Sequence, residues 1–277
     1  METPEVIRFG DEEFARFVQY INSIYGIDLS KKKILVECRL NRYIQKNGLH
    51  SLTDFMNKMK ADKTGRTEAQ VLNRLTTNYT YFLREDKHFE YLRKQILPGL
   101  QEEQCSSFRV LCAGCSSGEE CYTMSMLLCD YRKKGGFLPE FRITGTDISE
   151  TVLRKAEEAR YPLSELSAIP AAWQREYLSI DTQKECFQIL PEARNCVNFY
   201  KMNLLKPFGG QLQYDLILCR NVMIYFDEDS RWKLLEKLYG CLKPGGYLFV
   251  GHTELLYRKH DLFEYVCPAI YRKQGNK

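Results

Sequence analysis

The chain has 277 residues, 44% of them hydrophobic and 27% charged, with a formal net charge of +4. That is the balance of a globular protein long enough for one large or two ordinary domains, and the charge is too mild to imply nucleic acid. No apolar run is long enough to span a membrane, and the acidic start Met1-Glu2-Thr3-Pro4-Glu5 is unlike a signal peptide, so the chain reads as cytoplasmic without membrane insertion.

Phe14, Phe17, Val18, Ile21 and Ile24 recur at helical spacing over residues 11–25, and Gly26 is placed to stop that helix. Ser30 reads as the N-cap of a second helix running to Asn47-Gly48. Within it Lys32, Arg39, Arg42 and Lys46 fall in an arc of about 80° at 100° per residue. Residues 31–46 hold six basic side chains against one acidic, Glu37. Leu35 interrupts the stripe, which reads either as a solvated face or as a dock for an acidic helix. Ser51 caps a third helix to about Lys60, and a fourth ends near Leu75. These elements make a helical N-terminal domain, residues 1–75.

Residues 76–100 read as a linker and connecting helix. Polar and aromatic residues interleave in Thr76-Thr77-Asn78-Tyr79-Thr80-Tyr81-Phe82-Leu83-Arg84-Glu85, which could simply be pinned to a core by its aromatics. His88–Leu97 follows as a helix closed by Pro98. Residues 101–277 then alternate strands and helices, the pattern of a parallel α/β sheet.

The organising stretch there is Val110-Leu111-Cys112-Ala113-Gly114-Cys115-Ser116-Ser117-Gly118-Glu119-Glu120: a buried strand from Arg109 to Cys112, a glycine turn, and a helix continuing to Tyr131. The Gly114-x-x-x-Gly118 spacing is neither the dinucleotide G-x-G-x-x-G nor the P-loop. Two carboxylates in the first helical turn suit the helix dipole but repel a pyrophosphate, which needs that same helix end. The loop therefore suits a ligand with hydroxyls or positive charge, as S-adenosylmethionine has, or is an ordinary turn with a solvated acidic cap. Cys112-x-x-Cys115 has no second C-x-x-C or His cluster to complete a zinc site, so no metal is expected. The eleven cysteines read as reduced thiols.

A second strand, Phe141–Asp147, ends on a carboxylate, where nucleotide-binding α/β folds hold ribose hydroxyls. Ser149 caps a helix to about Arg160. About 36 residues then precede the next core strand, Val197–Met202, whereas a crossover loop is normally 2–6, so residues 163–196 read as an inserted β-subdomain. Tyr214–Cys219 is a central buried strand, Asp229–Leu242 a helix, Tyr247–Gly251 a strand, and Val266–Arg272 a last strand containing a proline.

These segments closely resemble the chemotaxis receptor methyltransferase family, CheR. The resemblance rests on Leu75-Thr76-Thr77-Asn78-x-Thr80, Cys112-Ala113-Gly114-Cys115-Ser116-Ser117-Gly118-Glu119-Glu120, Gly145-Thr146-Asp147-Ile148-Ser149, Asn203-Leu204-Leu205, Cys219-Arg220-Asn221-Val222-Met223-Ile224-Tyr225-Phe226 and Gly251-His252-Thr253-Glu254. It extends from about Phe14 to Arg272. Two departures are Leu83 where the family usually has Phe and Thr253 where it usually has Ser. The resemblance implies a class I methyltransferase (Rossmann-like) α/β sheet with an inserted β-subdomain, preceded by a small all-helical domain.

By this resemblance Asn78, Thr80 and Arg84 would close over S-adenosylmethionine, and Glu119, Asp147, Asn203, Leu204, Arg220 and Asn221 would contact it from the sheet. The expected activity is methyl transfer to glutamate side chains of a methyl-accepting chemotaxis receptor, in its cytoplasmic helical region, leaving S-adenosylhomocysteine. Arg84 and Tyr225 are the expected catalytic pair, although Tyr225 could equally be a core aromatic. Lys32, Arg39, Arg42 and Lys46 are the expected receptor dock. The protein is expected to be a monomer. The resemblance further implies that members whose inserted β-subdomain grips a receptor tail peptide carry a glycine-bearing loop there; with no glycine between Tyr161 and Phe208, this chain is expected to need no such peptide. Two other readings remain: a non-catalytic S-adenosylmethionine-binding signalling scaffold, or a methyltransferase of another acidic substrate.

Overall fold

The structure, a computed structural model, describes residues 7–76, 78–102, 106–208, 213–256 and 262–275. The acidic start, Met1 to Glu5, and Thr77 of the linker motif lie outside the described residues. The chain forms two compact units: residues up to Thr77 with Tyr225–Trp232, and Asn78–Ile224 with Lys233–Lys277.

The first unit is built on α1 (Asp11–Tyr25), α2 (Lys33–Lys46), α3 (Leu52–Ala61) and α4 (Arg66–Leu75). Gly26 ends α1 at φ 65, the left-handed cap that glycine adopts without penalty. Ser51 caps α3 by accepting from the Asp54 N–H at 3.0 Å. Ser30 does not cap α2. The helix starts at Lys33 with Lys32 at its N-cap, because the Ser30 N–H and hydroxyl both turn back to Asp28 Oδ1. The apolar faces of the helices meet in a core of Phe14, Phe17, Ile21, Val36, Leu40, Ile44, Leu52, Phe55 and Val71. Two buried polar residues of α2 are satisfied by the segment before α1: Glu37 accepts from the Phe9 N–H at 2.9 Å, and Asn41 bonds both the N–H and the C=O of Ile7. Tyr225–Asp227 pairs with Gly26–Asp28 through an antiparallel bridge between Ile27 and Phe226 and the Asp28 N–H to Tyr225 C=O bond, 2.8 Å.

The second unit opens with α5 (Lys87–Tyr91), a π-turn (Leu92–Ile96) and α6 (Leu97–Glu102). Pro98 therefore does not close a helix. It is the second residue of α6, and the wider turn before it takes up the register that a proline ring denies to an α-helix. There follow β1 (Ser107–Ala113), α7 (Glu119–Lys133), β2 (Glu140–Asp147), α8 (Glu150–Glu158), β3 (Arg160–Pro162), a 3-10 turn (Leu163–Ala168), α9 (Ala171–Tyr177), β4 (Leu178–Asp181), β5 (Cys186–Ile189), α10 (Pro191–Arg194), β6 (Val197–Lys201), β7 (Tyr214–Cys219), a short turn at Met223–Tyr225, α11 (Glu228–Cys241), β8 (Leu242–Val250), β9 (Phe263–Cys267) and β10 (Ile270–Lys273). The single last strand expected over Val266–Arg272 is two strands. Pro268, which cannot donate to a ladder, and Ala269 at φ 64 make the turn between them.

Seven strands form one sheet in the order β6-β2-β1-β7-β8-β10-β9, parallel from β6 to β8 with β10 antiparallel to its neighbours. The chain leaves β1 first toward β2 and later toward β7, so the order reverses between β1 and β7. That reversal opens a crevice at the carboxyl ends of the strands. The strands β3-β5-β4 form a separate antiparallel sheet. This insertion covers the outer face of α7, in which every residue from Cys121 to Leu128 is buried. Its polar groups there are paired: the Ser125 hydroxyl donates to the Ala193 C=O at 2.5 Å, and the Tyr122 hydroxyl to the Ala156 C=O at 2.7 Å.

Candidate active site

The turn from β1 into α7 needs its small residues. Gly114 sits at φ 79, and a Cβ there would stand 2.4 Å from a methyl of Val222. Gly118 sits at φ 94 and would meet the Ala156 Cβ at 2.8 Å. Between them Ser116, at φ 50, occupies the left-handed region without being glycine. It is held there from two sides: its N–H donates to Asp147 Oδ2 at 3.0 Å, and its hydroxyl to the Asn78 C=O at 3.1 Å. Asp147, at the end of β2, also accepts from the Ser149 N–H at 2.9 Å through Oδ1. Each of its oxygens keeps a further lone-pair position for a ligand hydroxyl. Burial pushes its carboxyl above the usual range, against the backbone donors.

The two acids that open α7 part company. Glu119 is 3% exposed and accepts from the Ser117 hydroxyl at 2.8 and 2.9 Å; burial holds its carboxyl at about 7. Glu120 turns instead to Arg220 at the end of β7, 3.5 Å from its Nε. The same Nε lies 3.4 Å from Glu85 Oε2, Nη2 donates to the Arg84 C=O, and the guanidinium lies 5.4 Å from the Phe89 ring. Arg220 is thus a buried cation shared by two carboxylates. The next residue, Asn221, is left-handed at φ 58 and donates its N–H to Glu254 Oε2 at 2.6 Å and its amide to Glu85 Oε1 at 3.3 Å. Glu254 further accepts from the N–H groups of Gly251, 2.8 Å, and Ile224, 3.0 Å, tying the loop after β7 to the end of β8. Asn203 makes its own turn, its Oδ1 accepting from the Leu205 N–H at 3.0 Å, and Leu204 is buried beside it.

The linker is anchored by Phe82, which is buried 4.9 Å from the Tyr161 ring and 5.7 Å from that of Phe187. Leu83 and Glu85 are left-handed at φ 58 and 54, and the fold of this segment sets Arg84 beside the paired Tyr79 and Tyr81 rings, 5.9 and 5.8 Å from its guanidinium. Arg84 Nη1 donates to the Tyr79 C=O at 2.7 Å. Asn78, Thr80, Arg84, Glu119, Asp147, Asn203, Leu204, Arg220 and Asn221 all belong to the second unit, whereas Tyr225 groups with the first. There Lys32 Nζ lies 5.5 Å over the Tyr225 ring.

The basic stripe is not one free face. Arg39 donates to the Leu75 C=O at 2.7 Å and Lys32 precedes α2, while Arg42 and Lys46 are exposed. Exposed Ile34 and Leu35 share the helix with them.

Sequence reasoning paired Glu120 with Glu119 as an acidic helix end and did not foresee its turn toward Arg220. It assigned no role to Glu85, His88 or Glu254, of which Glu254 lies in the motif Gly251-His252-Thr253-Glu254. His88, 1% exposed and stacked 5.1 Å from Phe249, is held neutral, its pKa lowered to about 3 by burial and by Arg220. Glu85, His88 and His252 bring potential donor atoms within 4.8 Å of one another, yet Glu85 is already shared with Arg220.

The switch point of the sheet, a glycine turn packed against Val222 and Ala156, a carboxylate with free lone pairs at the end of β2, and an acidic helix end together fit a cationic, hydroxyl-bearing nucleoside. No helix among the described residues is long and apolar enough to cross a membrane. Residues 12–76 match the family model for the CheR methyltransferase all-alpha domain, and residues 78–271 that for the CheR methyltransferase SAM binding domain. The chain is 37% identical over 273 residues to the chemotaxis protein methyltransferase of Borreliella burgdorferi, covering 96% of both chains. It is 32% identical over 269 residues to chemotaxis protein methyltransferase 1 of Pseudomonas aeruginosa, covering 94% of this chain and 97% of that one. It is 31% identical over 271 residues to chemotaxis protein methyltransferase 1 of Vibrio cholerae, covering 96% and 98%. The chain belongs to the CheR methyltransferase family and is an S-adenosylmethionine-dependent methyltransferase.

Proposed function

We propose that this enzyme methylates glutamate side chains in the cytoplasmic helical region of chemotaxis receptors, working as a cytoplasmic monomer. The reading is carried by one observation: the acidic sheet edge around Asp147 and Glu119 belongs to a chain whose relatives, matched end to end, are named chemotaxis protein methyltransferases. In this reading residues 1–75 are the helical domain, 76–100 the linker and connecting helix, 101–277 the methyltransferase domain, and 163–196 its β-subdomain.

Bound S-adenosylmethionine supplies an electrophilic methyl group on a sulfonium sulfur. Asp147 would take the ribose hydroxyls, Asn203 and Leu204 would frame the adenine, and Asn78, Thr80, Arg84, Glu119, Arg220 and Asn221 would line the rest of the site. A glutamate has an unperturbed pKa near 4.3 and is already a nucleophile at pH 7, so the protein needs no general base. Its work is to hold the carboxylate in line and exclude water. Arg84 orients that carboxylate with its planar fork, and the Tyr225 hydroxyl donates a hydrogen bond to it. Arg42 and Lys46, with Lys32 and Arg39 on the same basic stretch, attract the acidic receptor helices.

The β-subdomain is proposed to act without a receptor tail peptide. Its β4–β5 connection is a tight turn, closed by the Lys184 N–H to Asp181 Oδ1 bond of 3.1 Å. Saturable micromolar binding of a receptor tail pentapeptide to the β-subdomain would contradict this. The activity itself is tested by transfer of a labelled methyl group from S-adenosylmethionine to receptor-containing membranes. Base-labile label on receptor glutamates is expected; cofactor binding with no label on any receptor would contradict the proposed methyl acceptor.

A further inference from the structure

On the face of the second unit away from the carboxyl ends of the strands, two cysteines that lie far apart in sequence come together. Cys129 is in the C-terminal half of α7, and Cys196 lies on the short segment between α10 and β6. Both thiols are partly exposed, both lie 3.6 Å from the same acceptor, the Glu192 C=O, and the two interact directly. The backbone around Cys196 is fixed, since its C=O accepts from the Ile143 N–H of β2 at 2.9 Å. On the other side Ser125, one turn before Cys129, is bonded to Ala193 of α10, so the two sulfur-bearing segments are held against each other by contacts independent of the thiols.

The pair is asymmetric. The Cys129 thiol, aided by Arg142 and Arg132 and opposed by burial, holds the Cys196 thiol down at about 6, and Cys129 is pushed up in return. Arg142, with Arg132, favours the thiolate on Cys196, which is partly exposed and next to a thiol that can resolve it. Among the described residues, no other partly exposed cysteine shares an acceptor with a second thiol in this way. Cys112, Cys115, Cys121 and Cys219 are buried with raised thiols, and the exposed Cys38 sits in the other unit.

We propose that Cys129 and Cys196 form a peroxide-sensitive dithiol, with Cys196 the attacking sulfur and Cys129 the resolving one. The Cys196 thiolate attacks one oxygen of hydrogen peroxide. An S–O bond forms, the O–O bond breaks, and hydroxide leaves, to be protonated to water. Cys129 then attacks the resulting sulfenic sulfur. An S–S bond forms, the S–O bond breaks, and the second water leaves with the Cys129 proton. The two sulfurs are oxidised and the peroxide oxygens are reduced. The product links α7, whose opposite end carries Gly118 and Glu119, to the entry of β6.

The test is peptide mapping of the reduced full-length protein after treatment with a few equivalents of hydrogen peroxide, digested without reductant. The expected result is a disulfide-linked pair of peptides containing Cys129 and Cys196 in the greater part of the protein, reversed by dithiothreitol and absent from Cys129→Ser and Cys196→Ser. In Cys129→Ser, dimedone should label Cys196 as a trapped sulfenic acid. Oxidation confined to Cys38, or conversion of wild-type Cys196 to sulfinic acid without the linked pair, would overturn the proposal. Should either variant fail to fold, the linked peptide in the wild-type protein is present or absent and decides alone.

Discussion

The glycine turn after β1 and the cluster around Arg220 lie at the same edge of one sheet, and they are specified in opposite ways. The turn is local: Gly114, Ser116, Gly118 and Glu119 lie within a few residues of each other, and each conformation can be read against its own neighbours. The cluster is assembled from Glu85 in the linker, Glu120 on α7, Arg220 after β7, and Glu254 with Asn221 beside them. Its energetics depend on every member being present. A change in the glycine turn is felt as steric strain against its own neighbours, whereas a buried cation shared by two carboxylates has no substitute once one partner is lost.

The comparison is broken most severely at Arg220. Replacing it with Ala leaves Glu85 and Glu120 buried without their cation and should cost about 3 kcal/mol or more. Urea unfolding measures this, and the triple variant Arg220→Met, Glu85→Gln, Glu120→Gln should recover part of the loss. A single variant as stable as wild type would make the cluster dispensable.

The next largest effect is expected at the two proposed catalytic residues. Arg84→Ala and Tyr225→Phe should each lower kcat by about a hundredfold and by more than they weaken cofactor binding, because a donor to the reacting carboxylate acts mainly in the transition state. Steady-state rates paired with calorimetric cofactor titration separate the two effects. Full turnover would make the residue structural.

The local region is sharpened by pH. Glu119 has a folded pKa of about 7, raised by burial. The folded protein therefore keeps a proton through a range, from the ordinary carboxylate value up to about 7, in which the unfolded chain has lost it. The stability Glu119 contributes is fully present below that range and is lost as pH rises through 7. His88 works in the other direction: with its folded pKa at about 3, its contribution is present above its ordinary 6.5 and is lost as pH falls. Denaturation of wild type and Glu119→Gln from pH 5 to 8 should show wild type losing ground to the variant as pH rises. Parallel curves would contradict the burial argument.

The smallest effect is expected on the surface. Arg42→Glu with Lys46→Glu should raise the KM for receptor several-fold at low salt, with the difference fading as salt is added, since exposed charge complementarity is screened. An unchanged KM at low salt would remove α2 from the docking surface.

How far each region was legible in the sequence follows the same division. Periodicity and punctuation reveal α1, the Ser51 cap, β2 and β7, because those signals lie within one element. The glycine turn and Asp147 are equally visible, since a strand end is defined by its own run of apolar residues. The π-turn before Pro98 was not, because a proline signals a break and the chain has more than one way to absorb it. The turn at Pro268 was hidden for a related reason: two short strands and their turn carry the same apolar run as one strand. Arg39 looked like part of a basic stripe, but its partner is a carbonyl 36 residues away at Leu75. Glu85 and Glu254, and the Arg220 partner of Glu120, were opaque because a buried carboxylate is recognised by partners that only the fold supplies.

The central claim is that the carboxyl edge of the sheet, with Asp147 at its focus, holds the cofactor. Calorimetric titration of S-adenosylhomocysteine into wild type and Asp147→Ala tests it most directly. Loss of two hydrogen bonds to a charged acceptor predicts affinity weaker by about 2 kcal/mol or more. Equal affinity in the folded variant would place the cofactor elsewhere.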